Sequence, residues 1–224
     1  MENFSMNVLV ACEFSGIIKD AFLRHNVNAF SCDLLPTESF LKSSHIQTDV
    51  LSVLNGIDDL KWDLIIAHPP CTYLSNSGAR WHLEKKIEQR EAIRFFMSFI
   101  KAPAPYIAVE NPKGVMSTFF RQPDQTIQPW MFGHGETKAT CLWLKGLPLL
   151  TPTEIVSGRK AATFNAYRGG AKERWQERSR TLHGIANAMA AQWTSYILTQ
   201  ERKLSERSER TLSCRTLQKN PGSA

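Results

Sequence analysis

Apolar positions along the chain fall into two rhythms. Runs at residues 6–12 (MNVLVAC), 28–35 (NAFSCDLL), 62–68 (WDLIIAH) and 105–111 (PYIAVEN) are apolar at most positions, as in strands covered on both faces, with a weaker run at 45–54 (HIQTDVLSVL). Between them the spacing changes to three and four. Ile17, Ile18, Ala21 and Phe22 share a helical face after the turn EFSG, and Ile93, Phe96, Met97 and Ile100 share another. Ile185, Met189, Trp193 and Ile197 repeat the pattern. Strands alternating with helices predict right-handed crossovers and a mainly parallel, doubly wound α/β sheet. TIQPWMFG and KATCLWLKG, either side of HGET, predict a C-terminal antiparallel hairpin closing it.

Composition refines this outline. A chain of 224 residues, 42% hydrophobic, can bury a core, and we expect one domain over residues 1–200. There is no run of about 18 apolar residues, and MENFSMNVLVAC lacks the basic region and cleavage site of a secretory signal, so a soluble cytoplasmic protein is expected. Cys12, Cys32, Cys71, Cys141 and Cys214 form no C-x-x-C pair and are odd in number, which argues against a metal site and a disulfide framework. The net charge of +6 is unevenly spread: residues 1–150 carry 14 Lys and Arg against 15 Asp and Glu, and residues 151–224 carry 13 against 6. The last third therefore holds the positive field, either a solvated basic surface or one that meets DNA or RNA. Residues 151–182 read as a short basic excursion from the sheet and 201–224 as a disordered basic tail. Trp62, Trp130, Trp143 and Trp193 are expected in the core.

The chemically suggestive residues stand where strands stop, the place where doubly wound sheets bind ligands. Pro69-Pro70 ends the run DLIIAH, because proline has no amide hydrogen for a ladder, and presents Cys71 on a stiff loop. Such a cysteine is either a small packed hydrophobe or, as thiolate, a nucleophile. Glu110 follows the next buried strand, so the two loops are expected to share a pocket. A thiolate, a carboxyl group kept partly protonated by burial and an electrophilic methyl group suit one reaction: addition to C6 of cytosine, with acid assistance at N3, makes C5 nucleophilic enough to take the methyl group. His68 is placed to touch the base or to be structural.

The sequence resembles the DNA cytosine-C5 methyltransferases, particularly the compact versions carried by bacteriophages. HPPCTYLS resembles the family's proline-cysteine motif through Pro70, Cys71 and Ser75, VENP the next motif through Glu110 and Asn111, and GIANAM the last through Asn187. ACEFSG occupies the cofactor loop. The resemblance spans about residues 8–198 and implies a Rossmann-like S-adenosylmethionine-dependent methyltransferase fold acting on DNA, with a duplex cytosine flipped out of the stack. It implies catalytic roles for Cys71, Glu110 and Asn111. Glu13, Phe14, Ser15, Gly16, Asp33, Asp49, Pro69 and Asn187 would line the methyl donor, Asp33 at its ribose and Asp49 at its adenine. Pro70, Ser75, Lys138, Arg168, Arg178 and Arg180 would meet the substrate. Read singly, Asp33 and Asp49 are also common turn or cap residues, and Glu13 is either a donor ligand or an exposed turn residue.

The sequence departs from the family in three places. The cofactor loop has only Ser15-Gly16, so close approach to the donor falls to Gly16. The family's Q-x-R-x-R motif is replaced by Glu136, Lys138 and Thr140. About 40 residues stand where a target-recognition domain belongs, with Phe164, Tyr167 and Trp175 interleaved among Arg159, Lys160, Arg168, Lys172, Arg174, Arg178 and Arg180. Two competing readings follow: an amino-group methyltransferase, since HPPC is similar to an N/D-P-P-Y loop, and a nucleic-acid-binding or anti-restriction protein that keeps the fold without catalysis.

Overall fold

A computed structural model describes residues 5–76, 85–157, 159–161 and 176–218. The strands are β1 (Asn7–Ala11), β2 (Asn28–Asp33), β3 (His45–Gln47), β4 (Leu64–Ala67), β5 (Tyr106–Pro112), β6 (Gln125–Ile127), β7 (Glu136–Thr137), β8 (Thr140–Lys145) and β9 (Lys160–Ala161). The helices are α1 (Ile17–Leu23), α2 (Lys86–Ile100), α3 (Met116–Phe119) and α4 (His183–Gln218). Seven strands form one sheet in the order β3-β2-β1-β4-β5-β8-β6. The first five are parallel, and β8 runs antiparallel to both β5 and β6, the predicted hairpin. Between its arms lies β7, which pairs in parallel with β9 as a separate small sheet.

Both faces of the sheet are covered, which is why its strands read as unbroken apolar runs. Val8, Val10, Leu64 and Ile66 point to one side, where Ile18, Phe22, Met189, Trp193 and Ile197 of α1 and α4 pack. Leu9, Ala11, Ile65 and Ala67 point to the other, onto Phe96 and Phe99 of α2. A fully buried Phe, Leu or Ile contributes about 1.5–3 kcal/mol, so these layers fix the sheet and its strand ends. The predicted face of α2 turns slightly inward: Phe99 is fully buried, while Ile93, Met97 and Ile100 are partly covered. Phe96 meets Trp143 edge-on at 5.2 Å between ring centroids.

Two expectations need correction. Trp62, Trp143 and Trp193 are buried, but Trp130 is half-buried and carries the Arg159 guanidinium 3.7 Å from its ring centroid. Its apolar face stacks on a cation instead of the core. Residues 201–218 continue α4 as helix where an irregular tail is expected; the stretch contains no Gly or Pro and is rich in Glu, Arg, Lys and Leu, which favour helix. Lys19 is fully buried. Its ammonium donates to the Leu41 carbonyl at 2.6 Å and Ser39 Oγ at 3.2 Å and pairs with Asp20 at 3.1 Å. This cluster pins the loop after β2 against α1.

Candidate active site

The strand order reverses at β1, between β2 on one side and β4 on the other, and the loops leaving β1, β2, β4 and β5 meet at this switch point. The register sets the pairing of side chains. Ala67 lies opposite Val109, so the next residues along the parallel strands, His68 and Glu110, stand side by side, and His68 Nδ1 is 3.1 Å from Glu110 Oε2. Four residues past β4, the exposed Cys71 sits on its proline loop.

That loop is held from beneath. Asn111 is buried and donates Nδ2 to the Pro69 carbonyl at 2.8 Å. The Cys71 carbonyl accepts from the Leu74 and Ser75 amides at 3.0 and 2.9 Å, closing a tight turn. Its far side bonds to the chain after β5: Val115 N–H to the Leu74 carbonyl at 2.8 Å and Asn76 N–H to the Lys113 carbonyl at 3.0 Å. A Cβ at Gly114 would lie 1.8 Å from the Leu74 carbonyl oxygen, so only glycine admits this approach. Of the residues expected at the substrate or donor, Asn111 and the buried Pro69 and Ser75 thus build the loop, while Pro70 and Cys71 are exposed on it.

The electrostatics around Cys71 are mixed. Partial desolvation of the sulfur by the surrounding loops, although the residue is exposed, and then Glu110 raise the thiol above its ordinary value, and Lys138 and Arg178 act in the opposite sense. Lys138, in the turn between β7 and β8, donates Nζ to the Arg178 carbonyl at 2.8 Å, joining the hairpin to the basic segment over the site. Glu110 departs from the sequence expectation. Burial raises its pKa, but the hydrogen bond and charge of His68, with Lys138, outweigh burial and leave the carboxyl below its usual value. It is a carboxylate partnered by histidine, not an acid kept neutral by burial.

The donor loop differs more. Glu13 is 5% exposed, and its carboxylate accepts the Ile18 N–H at 2.7 Å and the Lys19 N–H at 3.3 Å. It caps the start of α1, so it is neither an exposed turn residue nor a free ligand. Gly16 adopts a φ of +73°, and a Cβ there would meet Ser39 Cβ at 2.6 Å. Its missing side chain makes room for the loop after β2. Phe14 and Ser15 are buried, and the Phe14 carbonyl takes the Glu38 N–H at 2.9 Å.

Asp33 and Asp49 lie as expected at the ends of the second and third strands. Asp33 Oδ1 accepts the Leu35 N–H at 2.9 Å, and Asp49, exposed, caps a single 3₁₀ turn through the Leu51 N–H at 3.0 Å. Both raise the pKa of Cys12, after burial, which places them around the end of β1. Asn187 is elsewhere: its Oδ1 accepts from Arg24, past the C-terminal end of α1, at 2.8 Å. Arg180 holds Glu38 through two hydrogen bonds of 2.8 and 2.7 Å and also pairs with Glu177, so it clamps the loop after β2 instead of reaching outward. Arg168, with Phe164, Tyr167, Lys172, Arg174 and Trp175, lies outside the described residues. Sequence reasoning gave no signal for Lys19, Ser39 or Glu38, whose roles arise only from contact.

No protein-family model and no curated protein matches the sequence. Among solved structures the chain is similar to the methyltransferase EhMeth of Entamoeba histolytica, at 14% identity over 69% of this chain and 58% of that one, with a TM-score of 0.46. It is also similar to a mutant of DNMT2 from Spodoptera frugiperda, at 13% identity over 71% of this chain and 55% of that one, with a TM-score of 0.33. The chain spans a little over half the length of each. The class rests on the sheet: five parallel strands reversing at β1, with one antiparallel strand inserted before the last, form a Rossmann-like fold of the S-adenosylmethionine-dependent methyltransferase type.

Proposed function

We propose that the protein transfers a methyl group from S-adenosylmethionine to C5 of cytosine in DNA through a covalent bond between Cys71 and C6. The observation that carries this reading is that Cys71 and Glu110 come from the neighbouring parallel strands β4 and β5 beside the topological switch point, with Glu110, Lys138 and Arg178 all acting electrostatically on the Cys71 sulfur.

The loop ends suit a cationic methyl donor. Rossmann sites that bind dinucleotides leave a helix N-terminus open to phosphate, whereas here the Glu13 carboxylate already takes those amides. Asp33 and Asp49 add negative charge near the end of β1, which favours a ligand bearing ammonium and sulfonium groups. In this reading Asp33 accepts from the ribose hydroxyls and Asp49 meets the adenine, as the family resemblance implies. When bound, the donor supplies an electrophilic methyl group.

At the base, the Cys71 thiolate forms the C6–S bond. The C5=C6 electron pair moves to C4=C5, and the C4=N3 pair takes a proton at N3 from the Glu110 side. C5 then accepts the methyl group, loses its proton to a base, and the sulfur leaves as C5=C6 reforms. Lys138 and Arg178 favour the thiolate, while Asn111 holds the loop so that sulfur and carboxyl meet the same ring. The basic segment supplies phosphate contacts that position the strand.

Incubating DNA with isotopically labelled donor, digesting it to nucleosides and locating the label by mass spectrometry tests the assignment. Labelled 5-methylcytosine is expected; label in N4-methylcytosine or N6-methyladenine would assign the site to amino groups. The packing of Ser39 against Gly16 favours one competing reading, a nucleic-acid-binding protein without transfer. Calorimetry separates the two, since that reading predicts no heat of donor binding to the folded protein.

A further inference from the structure

Two ionisable side chains stand around the Glu110 carboxyl: His68, largely covered, contacts it, and the buried Glu13 acts on His68. His68 begins the loop after β4, with its backbone N–H held by the Ala11 carbonyl at 3.0 Å. Its side chain is 10% exposed, its Nδ1 lies 3.1 Å from Glu110 Oε2, and its Nε2 is buried without a hydrogen-bond partner. Glu13, on the loop after β1, interacts with the His68 charge from another element, and Lys138 and Cys71 interact with Glu110 from the hairpin and the proline loop. An apolar ring would fill the same space without leaving a buried nitrogen unpaired, so the choice of histidine points to its hold on Glu110.

We propose that His68 is the positioning and proton-supplying residue for Glu110, fixing the carboxyl beside Cys71 and holding the proton that N3 of the target base takes up. The inference rests on the cytosine reading of the site. At rest the ring carries a proton on each nitrogen, the carboxyl is ionised and Nδ1–H donates to Oε2, so that giving up the Nδ1 proton leaves a neutral ring. As sulfur adds to C6, the Nδ1 proton moves to Glu110 and the carboxyl delivers it to N3. When the sulfur leaves, N3 returns the proton by the same route, so the pair ends each cycle unchanged and the net proton released is the one from C5.

His68→Gln keeps an N–H donor for Glu110 but cannot lend a proton, and His68→Ala removes both functions. Three measurements bear on them: the single-turnover rate of covalent trapping on an oligonucleotide carrying 5-fluorocytosine, calorimetry with S-adenosylmethionine, and the pH titration of the Glu110 carboxyl by 13C NMR. In His68→Gln we expect donor affinity to hold, trapping to slow by about 100-fold, and the Glu110 midpoint to rise by about 1–3 pH units as the charge of the ring is lost and burial is opposed only by the amide hydrogen bond and Lys138. Trapping within about twofold of wild type, or an unmoved Glu110 midpoint, would overturn the inference. Failure of the wild type to trap would overturn the cytosine reading, and the Glu110 titration, which needs no DNA, would still decide whether His68 governs the carboxyl.

Discussion

At the scale of single residues, the reactivity of Cys71 is a contest between signs. Burial and Glu110 favour the thiol, Lys138 and Arg178 the thiolate. Because the pKa is raised, the neutral range lies below it and the thiolate fraction grows about tenfold for each unit that pH rises, so trapping should accelerate with pH through the neutral range. Lys138→Ala removes the largest opposing influence and raises the thiol further. We expect trapping to slow by roughly 3- to 10-fold at pH 7.5, with the difference shrinking at alkaline pH as both thiols ionise; a loss that persists there would make the role of Lys138 one of contact and not of charge. Glu110 carries the opposite sign. Its folded pKa is depressed, so its contribution to stability is present above the unfolded carboxyl value and is lost as pH falls through the lower folded value. Glu110→Gln should therefore flatten the acid side of the stability curve measured by denaturant unfolding at successive pH values.

At the scale of elements, the site depends on loops packed too closely for any residue but glycine. A Cβ at Gly114 would strike the Leu74 carbonyl oxygen. Gly114→Ala should displace the proline loop and slow trapping by at least about tenfold, since small misplacements cost large factors in rate, while calorimetry finds the donor still bound. Glu13 caps α1 through two backbone amides. Glu13→Ala leaves them unpaired in a buried setting and should cost about 1–3 kcal/mol in unfolding free energy.

These loops also show how far the sequence could be read. The strands were legible because burial on both faces makes their runs apolar, and Cys71 because two prolines end β4; Glu110, expected just past its strand, lies within β5, which runs on to Pro112 against β8. The partners were not legible. Glu13, Gly16 and Asn187 keep their places in the motif order, yet a helix cap, a neighbouring serine and an arginine take up the groups the motifs assign to the donor. Those contacts join residues 5 to 163 positions apart and leave no periodic trace. The same holds for the pairing of His68 with Glu110, which appears only once β4 and β5 are set in register.

At the scale of the whole molecule, catalytic and basic parts are joined by two clamps: Lys138 to the Arg178 carbonyl, and Arg180 to Glu38. One links the segment before α4 to the β7–β8 turn and the other links it to the loop after β2, so under the proposed function a strand on the basic segment would be held near the proline loop. Residues 202–208 of α4 are exposed, and residues 201–224 carry 6 Lys and Arg against 3 Asp and Glu. Ending the chain after Gln200 should leave the unfolding midpoint nearly unchanged while weakening DNA binding and lowering its dependence on salt, because fewer phosphates are neutralised. Titrations at several salt concentrations measure that slope.

The central claim, that the Cys71 sulfur bonds to C6 of a cytosine beside Glu110, is tested most directly by covalent capture. With S-adenosylmethionine and an oligonucleotide bearing 5-fluorocytosine, the fluorine cannot leave as a proton does. The account predicts a protein–DNA band that survives denaturing electrophoresis for the wild type and is absent for Cys71→Ser. A band of equal strength from Cys71→Ser, or none from a wild-type protein that binds both donor and DNA, would contradict it.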